Sequence, residues 1–382
     1  MSTRKMNLKE IASLGARGST VSSVKSPTKS PTETKRRISY LDGHRGLAIL
    51  LVVLYHAYSR WPEIVPYGDR YADFPVFSFG WLGVQLFFML SGFVILMSLE
   101  RCLRIRNFIY RRWIRLFPMM LICSIIIFAT AGFFFERPAG APAWSSLIPG
   151  LTFIEPTWWS AVTGSSIEPL EGAFWTLYAE FKFYVFGAIA YYWQGKKFFV
   201  GSLIAAFVLS SVAHLGLTFF EGSAFLILVK LTVNLSFDQF GWFAAGAAFY
   251  IYSQNRLFKW FGLAVLLSFV SSAMLGFVES DMQAFLIASL VSFLFAISVI
   301  NPSIQNFLSN RFFLFFGFIS YPLYLIHENM MVAGVIKLDK YVEILPPALF
   351  PLLMIAVLSG VAFVLVKYVE PPLKRLMSER LA

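Results

Sequence analysis

Ten long apolar runs dominate this sequence, and a chain that carries them has to fold in lipid. They lie at roughly 43–60, 80–99, 116–135, 173–193, 198–219, 223–253, 258–278, 282–300, 312–335 and 346–368. Most approach the ~20 residues that a helix needs to cross a hydrocarbon core about 30 Å thick. The runs are continuous rather than alternating, which favours helices over an outer-membrane barrel. Composition agrees: 58% of the residues are hydrophobic and 14% charged, with 42 Phe and 10 Trp. Soluble domains carry roughly 25% charged residues, and a soluble chain of this size could not bury so much apolar surface. A secreted disulfide scaffold, a coiled coil, a zinc ribbon and a soluble dinucleotide-binding enzyme are excluded. The expected fold is an all-α, polytopic transmembrane bundle of about ten spans.

Charge orients the set. The net charge of +11 is spread by position rather than gathered in a nucleic-acid face, and no nucleic-acid partner is expected. Segment 101–115 holds six Arg and should be cytoplasmic, whereas 136–172 holds Arg137 against Glu136, Glu155, Glu168 and Glu171 and should face out. Lys196, Lys197, Arg256, Lys259, Arg311, Lys374, Arg375 and Arg380 then fall inside, and Glu221, Glu279 and Asp281 outside. Ten spans with both termini cytoplasmic satisfy every loop, and the expected location is the inner (plasma) membrane. The sixth run, 223–253, is too long for one straight helix and contains Lys230, Asn234 and Asp238. It is broken, tilted or partly re-entrant, or it is two helices, and two helices would invert every later loop.

Three regions follow: a basic cytoplasmic tail at 1–38, a transmembrane domain at 39–370 and a cytoplasmic C-terminal tail at 371–382. Residues 1–37 carry nine Lys or Arg against Glu10 and Glu33, among Ser, Thr and Pro. That composition predicts disorder, with attraction to anionic lipid. No signal peptide is expected. Cys102 and Cys123 sit about 30 Å apart along a helix, too far to bridge. The Trp residues of the long outer loop, Trp144, Trp158 and Trp159, suit the lipid interface, with a lid or sugar-stacking platform as the alternative.

Ionisable residues inside spans are costly and mark candidate sites. Arg45 and His56 are eleven residues apart, about three turns plus 20°, so both lie on one face of the first span about 16 Å apart in height. His56 can take or relay a proton near neutral pH. Arg112 and Arg115 are one turn apart if helical, and paired guanidinium groups suit a phosphate-bearing ligand, although ordinary positive-inside charge explains them equally well. Glu180 and His327 fall in the outer halves of two further spans, with Lys182 placed to neutralise Glu180. His214 reads as structural. Ser91 in "LSGF" lacks the spacing of a hydrolase elbow and reads as a small helix-contact residue. No metal-ligand spacing is present, so no metal is implied.

Several blocks resemble the acyltransferase-3 family of integral membrane O-acyltransferases. "YLDGHRGLAILLVVLYHA" (Tyr40–Ala57) is similar to its opening, with an Arg and a His separated by ten residues. "GVQLFFMLSGFVI" (Gly83–Ile95), "RRWIRLFP" (Arg111–Pro118), "FWTLYAEFKFY" (Phe174–Tyr184), "SYPLYLIHE" (Ser320–Glu328) and "VEPPLKRL" (Val369–Leu376) follow in order. His44 departs from the family, which usually has an apolar residue there; its role is open.

The resemblance implies transfer of an acyl group, acetyl by expectation, from cytoplasmic acyl-CoA to a hydroxyl of a carbohydrate, such as a lipid-linked or exported glycan unit. Acyl-CoA would be a co-substrate, with no tightly bound cofactor. His56 would be general base or acyl carrier, with Glu180 orienting it and His327 assisting. Arg45, Arg112 and Arg115 would hold the CoA phosphates. A proton-coupled transporter without acyl chemistry is the rival reading, weakened by the lack of an inverted repeat. A catalytically silent scaffold is a third, and it leaves the ordered blocks unexplained.

Overall fold

A computed structural model describes residues 38–220, 223–342 and 344–379. The basic tail expected at 1–38 lies outside them, Ile38 excepted. Every regular element among the described residues is helical. The main helices are α1 (Ser39–Tyr58), α2 (Gly83–Leu99), α3 (Ile105–Thr130), α4 (Trp175–Phe219), α5 (Ser223–Asn234) and α6 (Phe240–Asn255). They are followed by α7 (Phe258–Glu279), α8 (Met282–Ile300), α9 (Arg311–Ile326), α10 (Glu328–Tyr341), α11 (Phe350–Val364) and α12 (Glu370–Glu379).

Two glycine crossings build the centre. A methyl group on Gly46 of α1 would lie 2.0 Å from the carbonyl oxygen of Phe313 at the start of α9, and one on Gly317 of α9 would lie 2.0 Å from that of Asp42. In the same way Gly92 of α2 meets the carbonyl of Phe243, and Gly246 of α6 meets that of Met89, at 2.0 and 1.9 Å. In lipid, helices associate by close packing rather than by the hydrophobic effect, so positions without a side chain let backbones touch. Helix α6 is buried along nearly its whole length, from Phe240 to Tyr252. By contrast α7 and α8 turn Leu266, Phe269, Leu286, Leu290 and Phe293 outward, as lipid-facing helices should.

Among the described residues six helices are long and apolar enough to cross a bilayer, and the bent pair α5–α6 makes seven. Three features separate this from the ten runs of the sequence. Helix α4 is two helical halves joined at Gln194 and Gly195, each close to the length that crosses a bilayer. The break expected between the runs 173–193 and 198–219 lies at Gln194 and Gly195, where Gly195 takes φ +78°, open to glycine at little strain. Helix α1 is diluted by Asp42, His44, Arg45 and His56. The run 312–335 is interrupted at His327, between α9 and α10.

The sixth run is broken, as its length and polar residues suggested. Helices α5 and α6 meet at 71° around Leu235 and Ser236. Lys182 closes the break from α4. Its ammonium donates to the carbonyl of Asn234 (2.6 Å), to Ser236 Oγ (3.1 Å) and to Glu155 in the segment between α3 and α4. Lys182 therefore does not neutralise Glu180. The segment expected as a C-terminal tail is helical in α12, whose Met377 carbonyl lies 3.5 Å from the Tyr110 hydroxyl of α3. Cys102 and Cys123 are both free and buried.

Candidate functional site

Helix α1 carries His56 near its C-terminal end, and His327 sits at the α9–α10 junction. Their rings meet edge to face with centroids 4.7 Å apart. The proton positions follow from the partners. His56 Nδ1 lies 2.9 Å from the Val52 carbonyl, and His327 Nδ1 lies 2.7 Å from the Tyr324 carbonyl. A carbonyl can only accept, so both Nδ1 atoms carry hydrogen in the neutral pair. His327 Nε2 then holds a lone pair, and it faces His56 Nδ1 at 3.2 Å. The His56 Nδ1–H is shared between Val52 and His327. What this leaves is the lone pair of His56 Nε2, 3.8 Å from Glu328 Oε1.

Burial separates the two imidazoles. His327 is fully buried, whereas the His56 side chain keeps 11% of its exposure. Of the two imidazoles, His56 keeps the exposed surface and His327 lies behind it. The second oxygen of Glu328, Oε2, accepts the N–H of Ala173 at 2.6 Å. Tyr324 completes the wall, donating to the Ala173 carbonyl (2.8 Å) and lying 2.7 Å from Thr176 Oγ1. His327 Nδ1 takes the Tyr324 carbonyl that a continuous helix would offer to the N–H of Glu328. This competition for the Tyr324 carbonyl accompanies the interruption at His327.

Glu180 is elsewhere. It accepts hydrogen bonds from Ser91 Oγ and Tyr184 Oη, each at 2.5 Å, and neither imidazole is among its partners. Its charge acts instead on Arg45 and Arg112. The expectation that Glu180 orients His56 is not what the geometry displays: the carboxylate beside His56 is Glu328. Sequence reasoning passed over it although it ends the block "SYPLYLIHE". The available signal was a carboxylate directly after an intramembrane histidine.

The three arginines form a second cluster. Arg45, three turns below His56 on α1, pairs with Asp42 at 2.5 Å. Arg112 Nη2 donates to Ser98 Oγ at 2.7 Å, while its Nε and Nη1 are buried without a partner among the described residues. Arg115 is exposed, and its charge is felt at both Arg45 and Arg112. Like charges so placed repel, and a polyanion would relieve both that repulsion and the unpartnered donors. Glu180, Ser91 and Tyr184 are hydrogen-bonded together on helices that also border this cluster.

The remaining histidines lie apart from the His56–His327 pair. His44 Nε2 bonds Ser298 Oγ at 2.7 Å in a closed interior, and His214 Nδ1 bonds the Ser210 carbonyl of its own helix at 2.9 Å. Among the outer-loop tryptophans, Trp159 donates to Thr152 Oγ1 (3.0 Å), Trp144 packs on Phe128 and Trp158 lies under Lys182. No group of three metal-ligating side chains gathers among the described residues.

A family model described as "Acyltransferase domain" matches residues 38–366. Among curated proteins the chain is similar to two carrying the name "Putative O-acetyltransferase", from Staphylococcus aureus strains COL and MSSA476. Each is 26% identical over 172 residues, which is 42% of this chain and 26% of the relative. The match thus spans about a quarter of those relatives' length. No solved structure matches the chain.

Proposed function

Because the chain belongs to the acyltransferase domain family, we propose that it is a multi-pass membrane O-acyltransferase. It moves an acyl group, acetyl in the simplest case, from acyl-CoA to a hydroxyl of a carbohydrate acceptor. The observation that carries the reading is the free lone pair of His56 Nε2, partly exposed, with Glu328 on one side and His327 behind it.

In this reading the acceptor hydroxyl gives its proton to His56 Nε2 as its oxygen attacks the thioester carbonyl. The imidazolium so formed is stabilised by Glu328, and its Nδ1–H stays on Val52 and His327. Collapse of the tetrahedral intermediate breaks the carbon–sulfur bond. The thiolate of CoA leaves with the proton from His56, and the ester remains on the acceptor. Direct transfer needs no acyl-imidazole, although the same nitrogen could form one.

The arginine cluster supports acyl-CoA as donor. Arg112 has unpartnered donors, Arg115 is accessible, and Arg45 stands about 16 Å from His56 along α1. Phosphates held there would leave the extended pantetheine arm to reach His56, past Ser91, Glu180 and Tyr184. Glu180 balances the arginines in this arrangement and holds two hydroxyls along the route. Ten spans, with both termini and the arginines cytoplasmic and His56 near the outer face of the inner membrane, complete the proposal. The kink in α4, the polar dilution of α1 and the interruption at His327 would account for the three spans missed by length and apolarity.

The experiment is acyl transfer by purified, reconstituted protein carrying His56→Ala. Removal of a general base costs about 10²–10⁴ in rate, so activity should fall by that factor while expression and insertion stay normal. Wild-type turnover in this variant would remove His56 from the mechanism and the reading with it.

A further inference from the structure

Two helices begin at the site, and each is capped by the other. Helix α4 follows a turn of 3₁₀ helix at Gly172–Phe174, whose N-cap residue is Glu171. Helix α10 begins at Glu328. Glu171 Oε2 accepts the backbone N–H of Asn329 (3.1 Å) and its side-chain amide (2.6 Å), both at the start of α10. Glu328 Oε2 accepts the N–H of Ala173, at the start of the other helix. A capping box performs such an exchange within one helix; here it runs between two helices more than 150 residues apart. Each carboxylate meets N–H groups that a helix start leaves without partners, at the positive end of a helix dipole.

Arg137 holds the arrangement from the outer loop. Its Nη2 donates to Glu171 Oε1 (3.1 Å) and to the Leu170 carbonyl (2.8 Å). Two residues on, the N–H of Ala139 donates to Asn329 Oδ1 at 2.9 Å. The members are buried: Arg137 is 4% exposed, Glu171 and Asn329 1%, Glu328 7%. Desolvation, with the charge of Glu328 behind it, raises the Glu171 carboxyl, and Arg137 and Asn329 pull it back toward the ionised form. Glu171 accepts from three N–H donors and meets no acceptor, which suits a carboxylate and gives Arg137 its purpose.

We propose that Arg137 and Glu171 are positioning residues for the catalytic centre. By completing the crossed caps they fix the Glu328 carboxylate, so that Oε1 faces His56 Nε2 while Oε2 stays on Ala173. Neither residue touches the reacting atoms. This role rests on the acyl-transfer reading, and it adds that the outer loop is a structural part of the centre rather than a mobile cover.

The test is a double-mutant cycle in full-length reconstituted protein, read as kcat and donor KM and normalised to folded protein. Displacement of a reacting group by about 1 Å costs up to a hundredfold, so Glu171→Gln should lower kcat by about tenfold to a hundredfold and leave the donor KM unchanged. Arg137→Gln should behave alike, and Arg137→Lys should recover much of the loss. The double variant Glu171→Gln/Glu328→Gln should be no slower than Glu328→Gln alone, because Glu171 acts through Glu328. Losses that multiply, or a donor KM that moves with kcat, would overturn the proposal, and a merely structural role predicts the first of these. Should Arg137→Gln fail to fold, the Glu171/Glu328 cycle and Arg137→Lys decide the matter. Melting temperatures of the same cycle read the coupling between the caps without substrate. A wild-type protein that transfers no acyl group sinks the functional reading and this role together, and coupled melting temperatures would then leave only the caps.

Discussion

At the scale of single residues, Arg112 carries donors that a bound phosphate would satisfy. A guanidinium with five donors has placed one group on Ser98 and left Nε and Nη1 buried without partners. Lysine would keep the charge and lose the fork. A charge-assisted hydrogen bond is worth about 1.5–3 kcal/mol, so Arg112→Lys and Arg115→Lys should raise the donor KM roughly tenfold to a hundredfold, with the acceptor KM nearly fixed. If the pair serves only to orient the protein in the membrane, kinetics in both variants will match wild type. Arg45 and His56 were legible because helical period alone puts them on one face. The neighbour of His56 was not, because nothing in a sequence tells how deep each helix sits beside the next. Glu180 and Glu328 are both carboxylates within the apolar region, and the crossing of α4, α9 and α10 gives the place beside His56 to Glu328.

At the scale of elements, the glycine crossings carry the centre. A side chain at Gly46 would meet backbone, which no rotamer change relieves. Overpacking costs about 1–3 kcal/mol where side chains can shift, and more where they cannot. Gly46→Leu should therefore separate α1 from α9, lower the melting temperature sharply and abolish activity, since α1 carries His56 and α9 ends at His327. Gly201→Ala is the matched control, because nothing lies within 4 Å of its added methyl. It should leave both quantities near wild type, and equal damage from the two changes would count against the crossing. These contacts were foreseen only in kind. The small residues of the second run read as helix-contact positions, but which backbone each one meets depends on pairings far apart in the chain.

At the scale of the whole molecule, the arginines and the imidazole pair lie at opposite ends of α1, so orientation decides which side supplies the donor. A reporter active only outside the cytoplasm should work when fused after Gly140 and stay silent after Arg106 or at the C-terminus. An active C-terminal fusion would require an odd number of spans. The helical class and the break near Gly195 were written in the apolar runs, whereas the bend at Ser236 was foreseen only as one of several ways to fit an overlong run. That bend also bears on the membrane potential. A full charge moved across the bilayer feels about 2.3 kcal/mol per 100 mV. Lys182 shares its place with Glu155, however, and its ammonium is spent on the carbonyl of Asn234 and the hydroxyl of Ser236. The electric field finds a locked ion pair there instead of a mobile charge, so Lys182 gives voltage no lever on the break.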